Sequence, residues 1–510
     1  MGNEKHLHPL MLAGTGSDVG KSIVATAFCR IFLQDGYHPA PFKAQNMALN
    51  SFATPEGLEI GRAQAVQAEA AGIPCHTDMN PLLLKPQSDH TSQVVLNGKP
   101  IGSKNAYDYW RRGEGRDDNG TTIDFRKEVC AAFDRLACRY NPIVMEGAGS
   151  ISEINLRDTD LVNLPMARHA GADVILVGDI DRGGVFASVY GSIALQTKQD
   201  QRLIKGIIIN KFRGDMRLFD SGRRMLEEIC GVPVLGVIPY YKNIHIEEED
   251  SVALAQKSMA LEQGKVNVAV IMLQHLSNYT DFDALEQDSR IHLFYTNNVS
   301  DIQKADIIIL PGTKSTLHDL YELRRNGCAQ AIASAARGGT TVLGICGGYQ
   351  MMGVEVCDPD HVEGDISRLP GLGLLPVTTT LSGEKVTRQV SCSLATSLQN
   401  LSSLHGYEIH MGKTLPFGDA KASPLLLLED GNEDGYMVSP HCMGTYVHGI
   451  LDNQSFVDFI LEPFKEKFNT KENSFDYQAF KERQYDLLAE HVRRHVDMER
   501  IYRILRGEDC

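Results

Sequence analysis

The apolar run Leu10–Ala13 leads into Gly14-Thr-Gly-Ser-Asp-Val-Gly-Lys-Ser22, and the residues that follow, Ile23–Leu33, carry apolar side chains at helical spacing. A strand, a glycine-rich turn and a helix in that order constrain the fold more than any other feature of the chain. Glycines such as Gly16 and Gly20 let backbone N–H groups converge on an anion without a Cβ in the way, and the helix behind them adds its positive end. Lys21 then supplies a point charge, and Ser22 stands where a Mg²⁺ ligand is needed beside a bound nucleotide. The loop departs from the strict phosphate-loop pattern at Thr15, where a glycine is usual. ATP and Mg²⁺ are the cofactors expected.

Such a turn needs a sheet to hold it, and further strand-length runs follow at Pro142–Met145, Asp173–Val177, Ile204–Ile209 and Val234–Ile238. They are apolar throughout rather than alternating, as a parallel sheet covered on both faces requires. The first half therefore reads as a doubly wound α/β domain. Polar residues at the ends of these runs are candidates for ligand contact. Glu146, just past one run, is placed to help hold Mg²⁺. Lys43, with Gln45 and Asn46 after the short run Ala40–Phe42, could orient a substrate carboxylate. Asn210 could read the edge of an adenine. Asp18 inside the loop is odd, since its charge opposes phosphate, and an N-cap role competes.

A second centre lies far along the chain. Gly344-Ile-Cys-Gly-Gly348 follows the apolar run Thr341–Leu343 and has the form of a nucleophile elbow, with glycines where a sharp strand-to-helix turn leaves no room for side chains. A helix N-terminus behind Cys346 would favour its thiolate, and the N–H of Gly347 could receive an oxyanion. Pro311-Gly-Thr-Lys-Ser315, at the end of Asp306–Leu310, could offer a second donor. A thiolate needs a base. His448, in Tyr446-Val-His-Gly449, is the best placed, with His410 and His441 as competitors.

At 510 residues the chain exceeds what one core usually serves, and a domain size of ~150 residues suggests two to four domains. We expect a phosphate-loop α/β domain at 1–242, a polar linker at 243–265, a second α/β domain holding the cysteine elbow at 266–460 and a helical segment at 461–510, with one helix over Gln484–Leu505. Residues Lys85–Asn119, rich in turn formers and holding the sole Trp, suggest an inserted loop with substrate contacts. A net charge of −15 argues against nucleic acid as a partner. No apolar stretch approaches the ~20 residues that span a bilayer, and Met1–Pro9 does not look like a signal peptide, so neither a membrane partner nor export is expected and a cytoplasmic location is. The eleven cysteines show no metal-ligand spacing and read as thiols. Nothing in the sequence sets the oligomeric state.

Taken together, the loop Gly14–Ser22, Lys43-Ala-Gln-Asn-Met-Ala-Leu-Asn50, Glu59-Ile-Gly-Arg-Ala-Gln64, Glu146-Gly-Ala-Gly149, Asp179-Ile-Asp-Arg-Gly-Gly184, the cysteine elbow and Tyr446–Gly449 closely resemble the cobyric acid synthase family, over nearly the whole chain. The resemblance implies an N-terminal domain similar to dethiobiotin synthetase and a C-terminal domain like the class I amidotransferases. It implies glutamine, ATP and a corrinoid polycarboxylate as substrates, with Cys346 as nucleophile and His448 as its base. Many class I glutaminases carry a Glu two residues after the His, where this chain has Ile450. The subfamily resembled lacks that third member, which leaves the imidazole's orienting group open, with Glu408 a weak candidate. Because ammonia in bulk water becomes ammonium, a shielded path between the two domains is expected. Rival readings are a related amidase, such as cobyrinic acid a,c-diamide synthase or a cell-wall amidotransferase, and a non-enzymatic phosphate-loop ATPase.

Overall fold

The computed structural model describes residues 6–86, 91–105, 114–116, 122–247, 261–395, 403–468 and 475–508. They form two compact units that do not follow the chain as contiguous blocks: Met1–Ala48, Ile60–Glu247 and Ala479–Cys510 make one, and Leu49–Glu59 with Glu248–Gln478 make the other. The short segment Leu49–Glu59, expected within the first domain, is thus part of the second unit, and the end of the chain is part of the first.

In the first unit, β1 (Leu10–Gly14), β2 (Ala40–Phe42), β3 (Ile143–Glu146), β4 (Asp173–Asp179), β5 (Ile204–Phe212) and β6 (Val234–Pro239) form one sheet in the order β6-β5-β4-β1-β3-β2. Every neighbouring pair is parallel. Its central strands are buried on both faces, which is why they read as unbroken apolar runs. Helix α1 (Lys21–Gln34) buries Val24, Phe28, Ile31 and Phe32. That face shares a core with Tyr485, Leu488, Val492, Ile501 and Leu505 from the end of the chain. The expected single terminal helix is two, Tyr477–His495 and Met498–Leu505. The break is physical: Val496 bridges to Gly236, and the Asp497 side chain accepts from Arg500 N as the cap of the second helix.

Part of the expected loop at Lys85–Asn119 is sheet instead. Leu82–Pro86 pairs antiparallel with Thr91–Leu96, which pairs with Lys99–Asn105, and Trp110 lies outside the described residues. Of the expected linker, residues 248–260 also lie outside them. The residues just before are held rather than slack, since the buried Glu247 carboxylate accepts from Arg62 Nε at 2.6 Å and Nη2 at 2.9 Å.

In the second unit, β7 (Val266–Ile271), β8 (Ile291–Thr296), β9 (Ile307–Leu310), β10 (Thr341–Ile345), β11 (Tyr436–Ser439) and β12 (Cys442–Thr445) form a sheet in the order β8-β7-β9-β10-β12-β11, parallel except at its β11 edge. Beside it Val377–Leu394 and Leu404–Pro416 make a long antiparallel pair, and the latter also pairs with Val447–His448, which sets Tyr407 opposite His448. Among the described residues no helix is long and apolar enough to cross a membrane, and their ten cysteines are all free thiols.

Candidate functional site

In the second unit, β10 delivers Cys346 and the short helix α2 (Gly347–Met352) begins directly after it. The cysteine sits at φ 52°, a left-handed conformation that a side chain bears only under constraint. The turn is forced by close approach, because a Cβ on Gly348 would lie 2.0 Å from the Leu310 carbonyl oxygen. Cys346 is 8% exposed. The Pro311–Ser315 loop lies where it was expected: a Cβ on Gly312 would stand 3.1 Å from His448 Cε1, and one on Gly347 would stand 3.1 Å from Thr313 N.

Of the three histidines, His448 alone has the surroundings of a base. Its Nδ1 lies 2.6 Å from Asp281 Oδ2, and the other oxygen of that carboxylate accepts from Gly449 N at 3.0 Å. The Tyr407 ring stacks on the imidazole at 5.4 Å. Burial alone would push the imidazole down, but the Asp281 charge, the Cys346 sulfur and the hydrogen bonds to both outweigh it and raise His448 to about 10. His410 stacks on Tyr446, and burial followed by the His448 charge lowers it to about 4. His441 is exposed and pairs with Thr341 at the opposite end of β10.

The orienting group is therefore Asp281, which sequence reasoning missed. Glu408, the candidate named for it, pairs with Arg388. Asp281 lies in the fully buried turn Tyr279–Phe282, and its one sequence signal is a carboxylate set between Thr280 and an aromatic residue.

The first unit brings Lys21, Ser22, Lys43 and Glu146 together. Glu146 is 2% exposed; its Oε1 accepts from Ser22 Oγ at 2.8 Å and from Lys43 Nζ at 2.8 Å, and its Oε2 accepts from Gln67 Nε2 at 2.7 Å. Burial opposes the charge, and Lys43, Gln67 and Ser22 together hold the carboxyl below its ordinary value. Gln67 went unnoticed in the sequence. Lys21 Nζ donates to Gly16 O at 2.9 Å and Gly149 O at 3.0 Å. Burial pushes it down to about 8, with Lys43 adding to the fall and Glu146 and Asp18 opposing it.

Two residues here gain partners that the sequence did not announce. Asn210 Nδ2 donates to Val19 O at 2.9 Å, bracing the loop from behind. That contact dictates Gly20, whose φ is 94° and whose Cβ would lie 2.2 Å from the same nitrogen. Asp18 does not cap α1, whose N-cap is Gly20. Its half-exposed carboxylate faces Arg182 Nη2 at 3.4 Å, and its carbonyl takes Lys211 Nζ, so its charge is answered within the loop's surroundings.

Comparison with known proteins agrees with the kind of domain in each unit. Residues 10–254 match the CobQ/CobB/MinD/ParA nucleotide binding domain, and residues 267–456 match the CobB/CobQ-like glutamine amidotransferase domain. The chain is 72% identical over 505 residues to the cobyric acid synthase of Bacteroides fragilis, covering 99% of this chain and 100% of that one. It is 68% identical over 506 residues to that of Phocaeicola vulgatus (99% and 100% covered) and 47% identical over 515 residues to that of Syntrophobacter fumaroxidans (98% of each). The chain belongs to the cobyric acid synthase family of glutamine-dependent amidotransferase ligases, which act in cobalamin biosynthesis.

Proposed function

We propose that this protein amidates the b, d, e and g side-chain carboxylates of adenosylcobyrinic acid a,c-diamide, giving adenosylcobyric acid, with ATP as activator and glutamine as nitrogen source. The observation that carries the reading is the Cys346–His448–Asp281 arrangement on the same chain as the phosphate loop. Asp281 on Nδ1 fixes the tautomer, which leaves Nε2 for the sulfur. With His448 raised to about 10, its imidazole carries a proton at neutral pH that can be passed to a leaving group. The sulfur attacks the amide carbon of glutamine, the oxyanion is received by backbone N–H groups of Gly347 and the Gly312 loop, and the imidazolium proton goes to the departing ammonia. Water then cleaves the thioester, releasing glutamate and restoring the thiolate.

In the other unit the backbone of Gly16–Gly20 and the Lys21 ammonium hold the phosphates of ATP. The acceptor carboxylate attacks the γ-phosphorus, leaving ADP and an acyl phosphate, and ammonia displaces phosphate from the acyl carbon. Activation is needed because a carboxylate oxygen is a poor leaving group. The Ser22 hydroxyl and Glu146 carboxylate are hard oxygen donors 2.8 Å apart, a set that fits Mg²⁺. When bound, Mg²⁺ supplies positive charge against the phosphate oxygens. Lys43, buried against Glu146, keeps that carboxylate ionised.

The test is Cys346→Ala. Glutamine-supported amidation should vanish while synthesis with added ammonium salt persists; loss of both, in a variant that still binds ATP, would refute the division of labour.

A further inference from the structure

The connection after β3, Gly147–Asn163, is far longer than the ~2–6 residues usual for a βα loop. Its start grips the phosphate loop: Lys21 Nζ donates to Gly149 O at 3.0 Å, Ser150 Oγ to Thr15 O at 2.9 Å, and Ile151 N to Gly14 O at 3.1 Å. Its remainder walls a cavity of about 230 Å³, mostly apolar, to which Met47, Ile151, Ile154, Leu161 and Val162 contribute. The floor is tied down, since Gln196 Nε2 donates to Ile151 O at 2.7 Å. Met47 and Ile154 remain 54% and 46% exposed, so apolar surface continues out over the rim. Arg157 also lines the cavity; its Nη2 donates to Leu195 O at 2.8 Å and Gln196 Oε1 at 3.3 Å, and among the described residues no acceptor engages its Nε or Nη1.

We propose that this cavity is the acceptor site of the phosphate-loop unit. The proposal rests on the function given above and adds where the corrinoid is held. An acceptor carboxylate must reach the γ-phosphate, and this cavity is lined by Gly149, Ser150 and Ile151, the residues that grip the phosphate loop. Its volume falls short of the ~300–1,000 Å³ of pockets that enclose a whole ligand, so it takes one arm of the molecule. The apolar flank of the macrocycle then lies across Met47 and Ile154, and Arg157 pairs with a neighbouring carboxylate arm.

The experiment uses the full chain with adenosylcobyrinic acid a,c-diamide, whose corrin absorbance reports binding in equilibrium dialysis, and ATP measured separately. Ile154→Asp and Arg157→Ala alter exposed or part-exposed positions and should fold. Each should weaken corrinoid binding about tenfold or more, as loss of an apolar contact or a charge-assisted hydrogen bond predicts, with ATP affinity and basal glutamine hydrolysis unchanged. Unchanged corrinoid affinity in both variants, beside a wild type that amidates normally, overturns the acceptor site alone. A parallel loss of ATP affinity also overturns it, by giving the cavity to the nucleotide. A wild type that neither binds nor amidates the corrinoid overturns the proposed function with it.

Discussion

The two units each bury a cation, and they treat it in opposite ways. In the cysteine site burial works against the His448 imidazolium, but Asp281 at 2.6 Å and the Cys346 sulfur raise it to about 10. In the phosphate loop burial prevails and lowers Lys21 to about 8, although Glu146 and Asp18 oppose it. The near carboxylate there is already taken, since Glu146 is held by Lys43, Ser22 and Gln67. One site contains its own counterion, and the other is short of negative charge. Covalent chemistry needs the first arrangement because its charges must exist before substrate arrives. A phosphate cradle needs the second, because the ligand brings the missing anion.

The strongest attempt to break this contrast is Asp281→Asn. It keeps the shape but removes the charge that fixes the tautomer, and glutamine hydrolysis should fall by about 10²–10⁴ in kcat while ATP affinity stays unchanged. A fall below tenfold would return the orienting role to another group. Next in size is Lys21→Ala, which should weaken ATP binding by about 10–10² without lowering basal glutamine hydrolysis, as calorimetry and a glutamate assay would show. A smaller effect is the pH dependence of nucleotide binding. A bound phosphate raises the Lys21 pKa, so binding takes up a proton once Lys21 is neutral in the free protein. ATP affinity should be flat to about pH 8 and fall by up to about tenfold per pH unit above it.

The smallest effect concerns stability, where the two cations carry opposite signs. The contribution of His448, raised from 6.5 to about 10, is complete below pH 6.5 and is lost as pH rises through about 10. That of Lys21, lowered from 10.5 to about 8, is complete above pH 10.5 and is lost as pH falls through about 8. Raising the pH from 7 to 10 should loosen peptides of β7–β10 relative to those of β1 and α1 in hydrogen exchange corrected for intrinsic rate. His448→Asn should abolish the first trend only.

The legible parts of the molecule were those set by local chemistry. Gly20 and Gly348 stand in turns that leave no room for a Cβ, and such turns have a signature within a few residues. The buried strands were visible for the same reason, as apolar runs. Asp281 was not, because its meaning depends on the fold carrying it to a histidine that is distant in sequence. Asn210 was legible only in part: its strand-end place suggests a ligand contact, but its hold on the loop through Val19 O depends on the fold. Strand β8 escaped notice beside its apolar neighbours, with His292 interrupting its short run. The division into units was obscured because Leu49–Glu59 and Ala479–Cys510 are bound by tertiary contacts that no composition shift announces.

Those last contacts bear on how the protein is made. Strand β6 precedes the second unit in the chain, yet Asp497 N bonds to Leu235 O, and His8 N near the start bonds to Leu505 O. The nucleotide-binding unit therefore cannot close its core on the ribosome until Leu505 has been made. The glutaminase unit, Leu49–Glu59 with Glu248–Gln478, has every residue available earlier. A premature stop after residue 478 would thus leave the later-encoded unit whole and the earlier-encoded one open, the reverse of what reading order suggests.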